Sequence, residues 1–283
     1  LHTILQSLLF MGTKKKYNLI GGGFNNYDGE NKASSIHKQE SQCIEWVNDG
    51  AEDTFYVDEY IGMVFDDEDS IKRYGWLLES AQIKPNVYED VKRNYRHYVR
   101  CFDAIFTHNK ELCNLHRNFK YAPLYGSWVT KPKMYEKSKL ISMICSNKVM
   151  CQGHQHRLSW AQKLQGSVDF YGRGFNEIHA KEEGLCDYMF SVAIENASYE
   201  SYFTEKVQDC FSTATIPIYY GAPDIGEHFN PDGIITLTDD FDPSQLTPEL
   251  YYDKIDVVKE NLEIIKSLPI NEDNIYKNYL QES

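Results

Sequence analysis

One stretch, YFTEKVQDCFSTATIPIYYGAP at residues 202–223, constrains the fold of this chain more than any other. Its first part carries apolar residues at the spacing of one helix face, from Phe203 to Phe211. Its second part, TIPIYY, is short, β-branched and aromatic and is closed by Gly221 and Pro223, which is typical of a strand buried on both faces. A helix that leads into such a strand indicates a parallel sheet.

The C-terminal half of the sequence alternates strands and helices in this way. Predicted elements are LISMICS (140–146, strand), HQHRLSWAQKLQ (154–165, helix), VDFYG (168–172, strand), YMFSVAIEN (188–196, strand) and GIITL (233–237, strand), followed by helices to the end. The N-terminal half shows the pattern less clearly, with FKYAPLYGSWV (119–129) predicted as its last strand. We predict an α/β fold with two Rossmann-like domains, 1–130 and 140–283, facing across a cleft and joined by a Lys/Pro-containing linker.

Composition and charge limit the classes of partner. A chain of 283 residues suits two domains of roughly 100–150 residues each. The net charge of −13 argues against nucleic acid as the main partner, because binding a phosphate backbone requires a cationic face. A local cationic pocket for a small anion remains compatible with that charge.

The cysteines and the start of the chain bear on its compartment. The seven cysteines form no CxxC pair, which favours free thiols in a reducing compartment, and we expect a cytoplasmic protein. The apolar start LHTILQSLLFMG lacks the features of a signal peptide and is shorter than the ~20 residues of a membrane span. We interpret it as a buried first helix and predict no transmembrane segment.

Polar residues gather where ligands bind in parallel α/β domains, beyond the carboxyl ends of strands and at the amino ends of the following helices. The strand at 188–196 ends in Glu195 and Asn196, and Glu205 and Lys206 begin the next helix. A helix start and a lysine both attract a diphosphate, whereas a carboxylate can accept both hydroxyls of a ribose. The pattern indicates a nucleotide site, although such a pair taken alone is more often a solvated first helical turn.

The stretch 188–235 resembles the donor-binding signature of the α1,3-fucosyltransferase family (glycosyltransferase family 10). The resemblance rests on Y-x-F followed by E-N at 195–196, Y-F-T-E-K at 202–206, I-P-I-x-x-G at 216–221 and a later P-x-x-I-I. ISMICSN and HQHRLSWAQKL are similar to the family in weaker form, and the first 60 or so residues show no match. The resemblance implies a GT-B enzyme that transfers fucose from GDP-fucose to a hydroxyl of a glycan acceptor, with inversion and without a required metal or other cofactor.

The resemblance also implies roles for individual residues. Glu205 would hold the ribose and Lys206 the phosphates, and Arg157 falls where the family places a phosphate-binding arginine, a task suited to its fork of donors. An ordinary surface arginine is the alternative for Arg157. The candidate donor-binding residues are Arg157, Glu195, Asn196, Tyr202, Glu205 and Lys206.

An inverting transfer needs a carboxylate that removes the proton of the acceptor hydroxyl. The family supplies a glutamate after an N-terminal strand, before a stretch of small residues and proline. Here YGWLLESAQIKP offers Glu79, followed by Ser80 and Pro85, although the segment departs from the family's usual Gly-Glu arrangement. The alternative is a carboxylate at the end of a helix.

Three other patterns are weaker. Asp67-x-Asp69 could be a metal motif of GT-A transferases, but acidic clusters of this kind are usually solvated loops. His154 and His156 stand at i and i+2 and face apart on a helix, whereas a zinc pair needs i and i+4. GGGFNN (21–26) lacks a full GxGxxG. We therefore predict no metal site.

Two other functions stay open at this point. A GT-B transferase could use another nucleotide sugar, because the motif contacts phosphates and ribose more than the hexose. A non-catalytic module that binds sugar nucleotides or glycans could retain the donor residues without a functioning Glu79. In each case a nucleotide sugar or a glycan is the expected partner.

Overall fold

The computed structural model describes residues 13–22, 24–27, 31–149 and 151–281. The first helix predicted from the apolar start lies outside the described residues. All seven cysteines are free thiols.

The first half of the chain forms a parallel sheet with a small hairpin beside it. Its strands are β1 (Lys15–Ile20), β2 (Phe24–Tyr27), β3 (Asn31–Ser34), β4 (Ile44–Val47), β5 (Asp53–Val57), β6 (Lys72–Leu77), β7 (Ala104–Thr107) and β8 (Phe119–Tyr121). Its helices are α1 (Pro85–Cys101), α2 (Lys110–Cys113) and a 3-10 helix (Asp58–Asp66). The strand order is β4-β1-β5-β6-β7-β8, with every pair parallel, and β2 and β3 form the antiparallel hairpin.

The second half forms another parallel sheet, in the order β10-β9-β11-β12-β13 once its strands are numbered along the chain. The elements are β9 (Lys139–Ile144), α3 (Gln152–Lys163), β10 (Asp169–Tyr171), β11 (Tyr188–Ile194), α4 (Glu205–Ser212), β12 (Ile216–Tyr220), β13 (Ile235–Thr236), α5 (Pro248–Asp253), α6 (Ile255–Ser267) and α7 (Asn271–Ile275). Short 3-10 helices cover Lys181–Gly184, Ile225–Glu227, Pro231–Gly233 and Pro243–Gln245, and a π-helix covers Tyr276–Leu280.

The two sheets share one topology. When the hairpin is left out, the second strand of each sheet lies on one side of the first strand, and the third and later strands follow in order on its other side. This is a doubly wound, Rossmann-like strand order. Every residue of β5 and β11 is buried, because helices cover both faces of the sheets. The predicted α/β architecture of two Rossmann-like units is confirmed.

The predicted strand over residues 119–129 is wrong beyond Tyr121. The backbone N–H of Gly126 donates to the side chain of Gln208, and that of Trp128 donates to Asp209. Backbone N–H groups of this segment therefore bond to side chains of helix α4 instead of to a neighbouring strand. Strands β4 and β6, which periodicity did not single out, complete the sheet on either side of β1 and β5.

The C-terminal end of the chain returns to the first sheet. Ile275 and Leu280 pack into the aromatic core that contains Trp46 and Phe55. Beside them, the carboxylate of Glu272 lies 2.5 Å from Nε2 of His37, and both side chains are fully buried. Residues 271–280, predicted as part of the C-terminal domain, thus pack on the N-terminal sheet and join the two halves.

Candidate functional site

A cavity of about 330 Å³ opens at the carboxyl ends of β9 and β10, beside the amino end of α4. Six cationic side chains line it: Lys38, Lys148, Arg157, Arg173, Lys181 and Lys206. Among the described residues of its lining, Glu205 is the only carboxylate. We refer to this cavity as the cationic pocket. In a chain of net charge −13, such a concentration of positive charge marks an anion site, and it lies at the crevice where doubly wound sheets bind ligands.

Helix α4 begins at Glu205, as the sequence predicted, and Glu195 holds its start in place. Glu195 directly follows β11 and is fully buried. Its carboxylate accepts hydrogen bonds from the backbone N–H of Thr204 (2.8 Å), the hydroxyl of Thr204 (2.7 Å) and the ammonium of Lys206 (3.0 Å). These three donors satisfy a carboxylate that would otherwise be costly to bury. The structure therefore places Glu195 beneath the cationic pocket, where it orients Thr204 and Lys206.

Lys206 and Glu205 stabilise each other's charge at the wall of the pocket. The Lys206 ammonium lies 3.6 Å from a carboxylate oxygen of Glu205. Burial lowers the pKa of Lys206, but Glu195 and Glu205 outweigh it and raise the pKa above its usual value. Burial raises the pKa of Glu205, but Lys206 and Lys181 outweigh it and lower the pKa. Both side chains are therefore charged at neutral pH.

Arg157 and Asn196 are brought together by a close approach between α3 and the end of β11. The guanidinium of Arg157 donates to the side-chain oxygen of Asn196. A Cβ on Gly153 would lie only 1.8 Å from the backbone oxygen of Asn196, so this approach requires a glycine. Nε of Arg157 is buried and has no hydrogen-bond partner within the described parts of the chain. Arg157 therefore has a donor left for a ligand in the cationic pocket.

Tyr202 lies away from the cationic pocket, between the two sheets. It is 1% exposed, and its ring centroid lies 5.1 Å from that of Tyr199 and 5.2 Å from that of His108. The hydroxyl of Tyr199 accepts the backbone N–H of Ala81 (3.3 Å) and lies 3.0 Å from Nε2 of His108. These tyrosines dock the donor-motif loop onto the loop that carries Glu79.

Glu79 lies two residues after the end of β6, at the carboxyl end of a parallel strand and not at the end of a helix. Burial is the largest effect on its carboxyl and raises its pKa. The charge of Lys206 lowers the pKa of this carboxyl and the charge of Glu205 raises it further, so both residues at the start of α4 act on Glu79. The candidate base therefore lies within electrostatic range of Glu205 and Lys206, although it is not among the residues that line the cationic pocket.

Several lining residues were not identified from the sequence. Lys148 and Arg173 follow β9 and β10. Ligands bind beyond the carboxyl ends of parallel strands, so this rule, which pointed to Glu195 after β11, also points to these two residues. Lys38 and Trp128 come from the other half of the chain, and the Lys38 ammonium lies 4.7 Å from the Trp128 ring centroid. Their proximity to the pocket depends on tertiary contacts that no local pattern shows.

The acidic pattern Asp67-x-Asp69 has a structural role. Asp67 accepts the backbone N–H groups of Asp69 and Ser70, both at 3.0 Å, and also binds Arg73 and the hydroxyl of Tyr56.

In the described residues, no group of three or more His, Cys, Asp or Glu side chains is arranged to hold a metal ion. None of the helices in the described part of the chain has the length and hydrophobicity of a membrane-spanning segment.

Comparison with known proteins locates the similarity in the second half. Residues 134–260 match the model of glycosyltransferase family 10 (fucosyltransferase), C-terminal part. An α-(1,3)-fucosyltransferase of Helicobacter pylori is 38% identical over 66 residues, which are 23% of this chain and 14% of the relative. An α-(1,4)-fucosyltransferase of Arabidopsis thaliana is 40% identical over 51 residues, 18% of this chain and 13% of the relative. The aligned stretches thus span less than a sixth of either relative.

A solved α1,3-fucosyltransferase structure with GDP matches 92% of this chain and 84% of its own, with 16% identity and a TM-score of 0.50. This likeness extends the shared fold over both sheets and confirms the GT-B-like architecture. The resemblance recognised in the donor motif is confirmed, because the motif lies within residues 134–260, which match the C-terminal model of glycosyltransferase family 10.

Proposed function

We propose that this protein is an inverting glycosyltransferase that moves fucose from GDP-fucose to a hydroxyl of a glycan acceptor. The observation that carries the proposal is the cationic pocket, with six cations and Glu205 at the carboxyl edge of a sheet in a family 10 domain. The structural neighbour was solved with GDP, and both curated relatives are named as fucosyltransferases.

The diphosphate would lie against Lys206, the unpaired Nε of Arg157 and the amino end of α4. These groups provide a full positive charge, a guanidinium donor and the free N–H groups of a helix start. Glu205 remains ionised and can accept both ribose hydroxyls. Asn196 holds the guanidinium in position, and Glu195 holds Lys206.

Glu79 would act as the general base. As the acceptor oxygen attacks the anomeric carbon, its proton passes to the Glu79 carboxylate, while the bond from that carbon to the diphosphate oxygen breaks and GDP leaves with the electron pair. Attack opposite the leaving group inverts the anomeric centre. A pKa raised by burial makes this carboxylate a stronger base than an exposed one.

The pocket's own cations would stabilise the leaving diphosphate, so we propose that transfer requires no divalent metal. A cytoplasmic location also stays a prediction.

A donor panel tests the assignment. Melting temperatures measured with GDP-fucose, GDP-mannose, UDP-glucose and UDP-GlcNAc should rise for the guanosine nucleotides, since a ligand at a hundredfold its Kd adds about 2.7 kcal/mol of stability. GDP-fucose should be hydrolysed or transferred by wild-type enzyme. Stabilisation by the UDP-sugars alone would favour another nucleotide-sugar transferase, and tight binding without turnover with any acceptor would favour the non-catalytic module.

A further inference from the structure

A second cavity, of about 180 Å³, lies directly beside the cationic pocket. Asn196 lines it, and Arg157, which lines the cationic pocket, is hydrogen-bonded to Asn196. The Arg157–Asn196 pair therefore forms the wall between the two cavities. Among the described residues of its lining the second cavity has no charged side chain, and we refer to it as the neutral pocket.

The neutral pocket offers groups suited to hydroxyls. Its lining includes the side-chain amides of Gln82, Gln152 and Asn196, an imidazole and a tyrosine ring. Amides and imidazole both donate and accept hydrogen bonds, as a sugar hydroxyl does, while an aromatic ring can pack on the apolar face of a pyranose. An anion would find no compensating charge here. The chemistry fits a neutral sugar ring.

His156, in the lining of the neutral pocket, has a ring nitrogen without a hydrogen-bond partner among the described residues. Its ring centroid lies 4.4 Å from that of Tyr220, which fixes the ring against the wall. Nε2 of His156 is buried, and the described part of the chain supplies it with no hydrogen-bond partner. A buried polar atom without a partner is costly, and a ligand hydroxyl that met the imidazole would remove that cost.

The neutral pocket also lies where the reaction would need a sugar. Gln82 is three residues after Glu79, on the loop that Tyr199 holds through the backbone of Ala81. The pocket is thus bounded by the loop of the proposed base on one side and by the wall of the diphosphate site on the other. A ring bound here would therefore lie beside the loop that carries Glu79 and beside the Arg157–Asn196 pair.

We propose that the neutral pocket binds a pyranose ring of the reacting sugars, with His156 as a hydroxyl partner that determines which ring is accepted. The inference rests on the proposed function, since it takes the adjoining cationic pocket as the nucleotide site. The ring belongs either to the hexose of the donor or to the acceptor, and the two sources are distinguishable by experiment.

The test is His156→Phe, which keeps a ring against Tyr220 and removes both nitrogens. Gln155→Ala is the matched control, because Gln155 is the exposed neighbour on the same helix. Calorimetry should give an unchanged affinity for GDP in both variants. In His156→Phe alone, either the affinity for GDP-fucose or the KM for the acceptor should worsen about 3- to 10-fold, as expected for one neutral hydrogen bond. A loss in GDP-fucose affinity assigns the ring to the donor, and a change in acceptor KM assigns it to the acceptor.

Three results would overturn the inference. If His156→Phe matches wild type in GDP-fucose affinity and acceptor KM, the neutral pocket does not select a sugar, while the proposed function stands. If GDP affinity falls together with GDP-fucose affinity, His156 supports the cationic pocket instead. If wild-type protein binds neither GDP nor GDP-fucose, the proposed function fails, and the assignment of the neutral pocket fails with it.

Discussion

Asp58 holds Glu79 by its backbone: Oδ1 of Asp58 accepts the N–H of Glu79 at 3.1 Å. The same oxygen accepts the N–H of Leu78 at 2.8 Å. Asp58 is buried and has a φ of +48°, a conformation that Asp and Asn tolerate better than most residues. Burial is the main cause that raises its pKa, to about 7, and the charge of Glu79 adds to the increase. The backbone that follows β6 is thus fixed by the carboxyl group of the residue that follows β5.

Asp58→Ala should therefore damage transfer without damaging donor binding. It removes the acceptor of the buried N–H of Leu78 and of the partly buried N–H of Glu79, and it should cost about 1–3 kcal/mol of unfolding free energy. We expect kcat to fall while GDP affinity, measured by calorimetry, stays unchanged. Asp58→Asn is the matched variant, because it keeps an accepting oxygen and tolerates the positive φ, and it should retain most activity. Equal activity of the alanine and asparagine variants would show that Asp58 does not position Glu79.

Local sequence patterns were sufficient to predict the second sheet. The alternation of buried strands and amphipathic helices spans short segments, and the helix start at Glu205 and Lys206 follows its strand closely enough for the parallel-sheet rule to apply. The position of Glu79 after an N-terminal strand was implied by the resemblance to the fucosyltransferase family, although periodicity did not single out β6 itself. These features depend on residues close together in the chain.

Features that depend on tertiary contacts could not be predicted. The end of a predicted strand gave Glu195 and the family motif gave Tyr202 as donor contacts, but nothing local indicates that Glu195 would be sealed beneath Thr204 and Lys206. The contribution of Lys38 to the cationic pocket joins residues far apart in sequence. The return of residues 271–280 to the first sheet depends on buried partners of the same kind.

Lys206→Ala should weaken the binding of GDP as well as of GDP-sugar, because its ammonium would contact the diphosphate. Loss of a charge-assisted hydrogen bond costs about 1.5–3 kcal/mol, or roughly 10- to 150-fold in Kd. The substitution also leaves the buried Glu195 without its cation, which lowers stability. Calorimetry on folded protein measures the first effect, and thermal unfolding measures the second.

The two effects of Lys206 separate in a double variant. Glu195→Gln combined with Lys206→Ala removes the uncompensated charge, so stability should recover in part while GDP affinity stays low. Lys259→Ala, at an exposed site on α6, controls for loss of one lysine. Recovery of GDP affinity together with stability would mean that Lys206 acts on the fold and not on the ligand.

Transfer should be insensitive to chelators. Arg157, Lys206 and the start of α4 provide the positive charge that a divalent ion supplies in other transferases. Rates measured in excess EDTA should equal those measured with Mg²⁺ or Mn²⁺. Abolition by EDTA and restoration by Mn²⁺ would contradict the proposed chemistry of the cationic pocket.

The buried pair of His37 and Glu272 should make stability depend on pH. Burial lowers the pKa of His37, but Glu272 outweighs it, and the net pKa is raised above its usual value. A group whose pKa is higher in the folded than in the unfolded protein stabilises the fold fully at pH values below its unfolded-state pKa, which is about 6.5 for histidine. This stabilisation is lost as the pH rises through the folded-state pKa.

We therefore expect the stability difference between wild type and His37→Gln to be largest near pH 5.5 and to shrink as the pH rises above about 6.5. Because the substitution leaves Glu272 buried without a cation, the difference at low pH should be about 3–5 kcal/mol. Urea unfolding across this range measures it. A difference that does not vary with pH would show that the pair is not ionised.

The most direct test of the account is the transfer rate of Glu79→Gln, measured beside its affinity for GDP-fucose. The substitution keeps the shape of the side chain and removes the proton acceptor, while the donor residues of the second sheet are untouched. We predict unchanged GDP-fucose affinity by calorimetry and a transfer rate about 10²- to 10⁴-fold lower with a productive glycan acceptor. A variant that transfers fucose at the wild-type rate would contradict the assignment of Glu79 as the base.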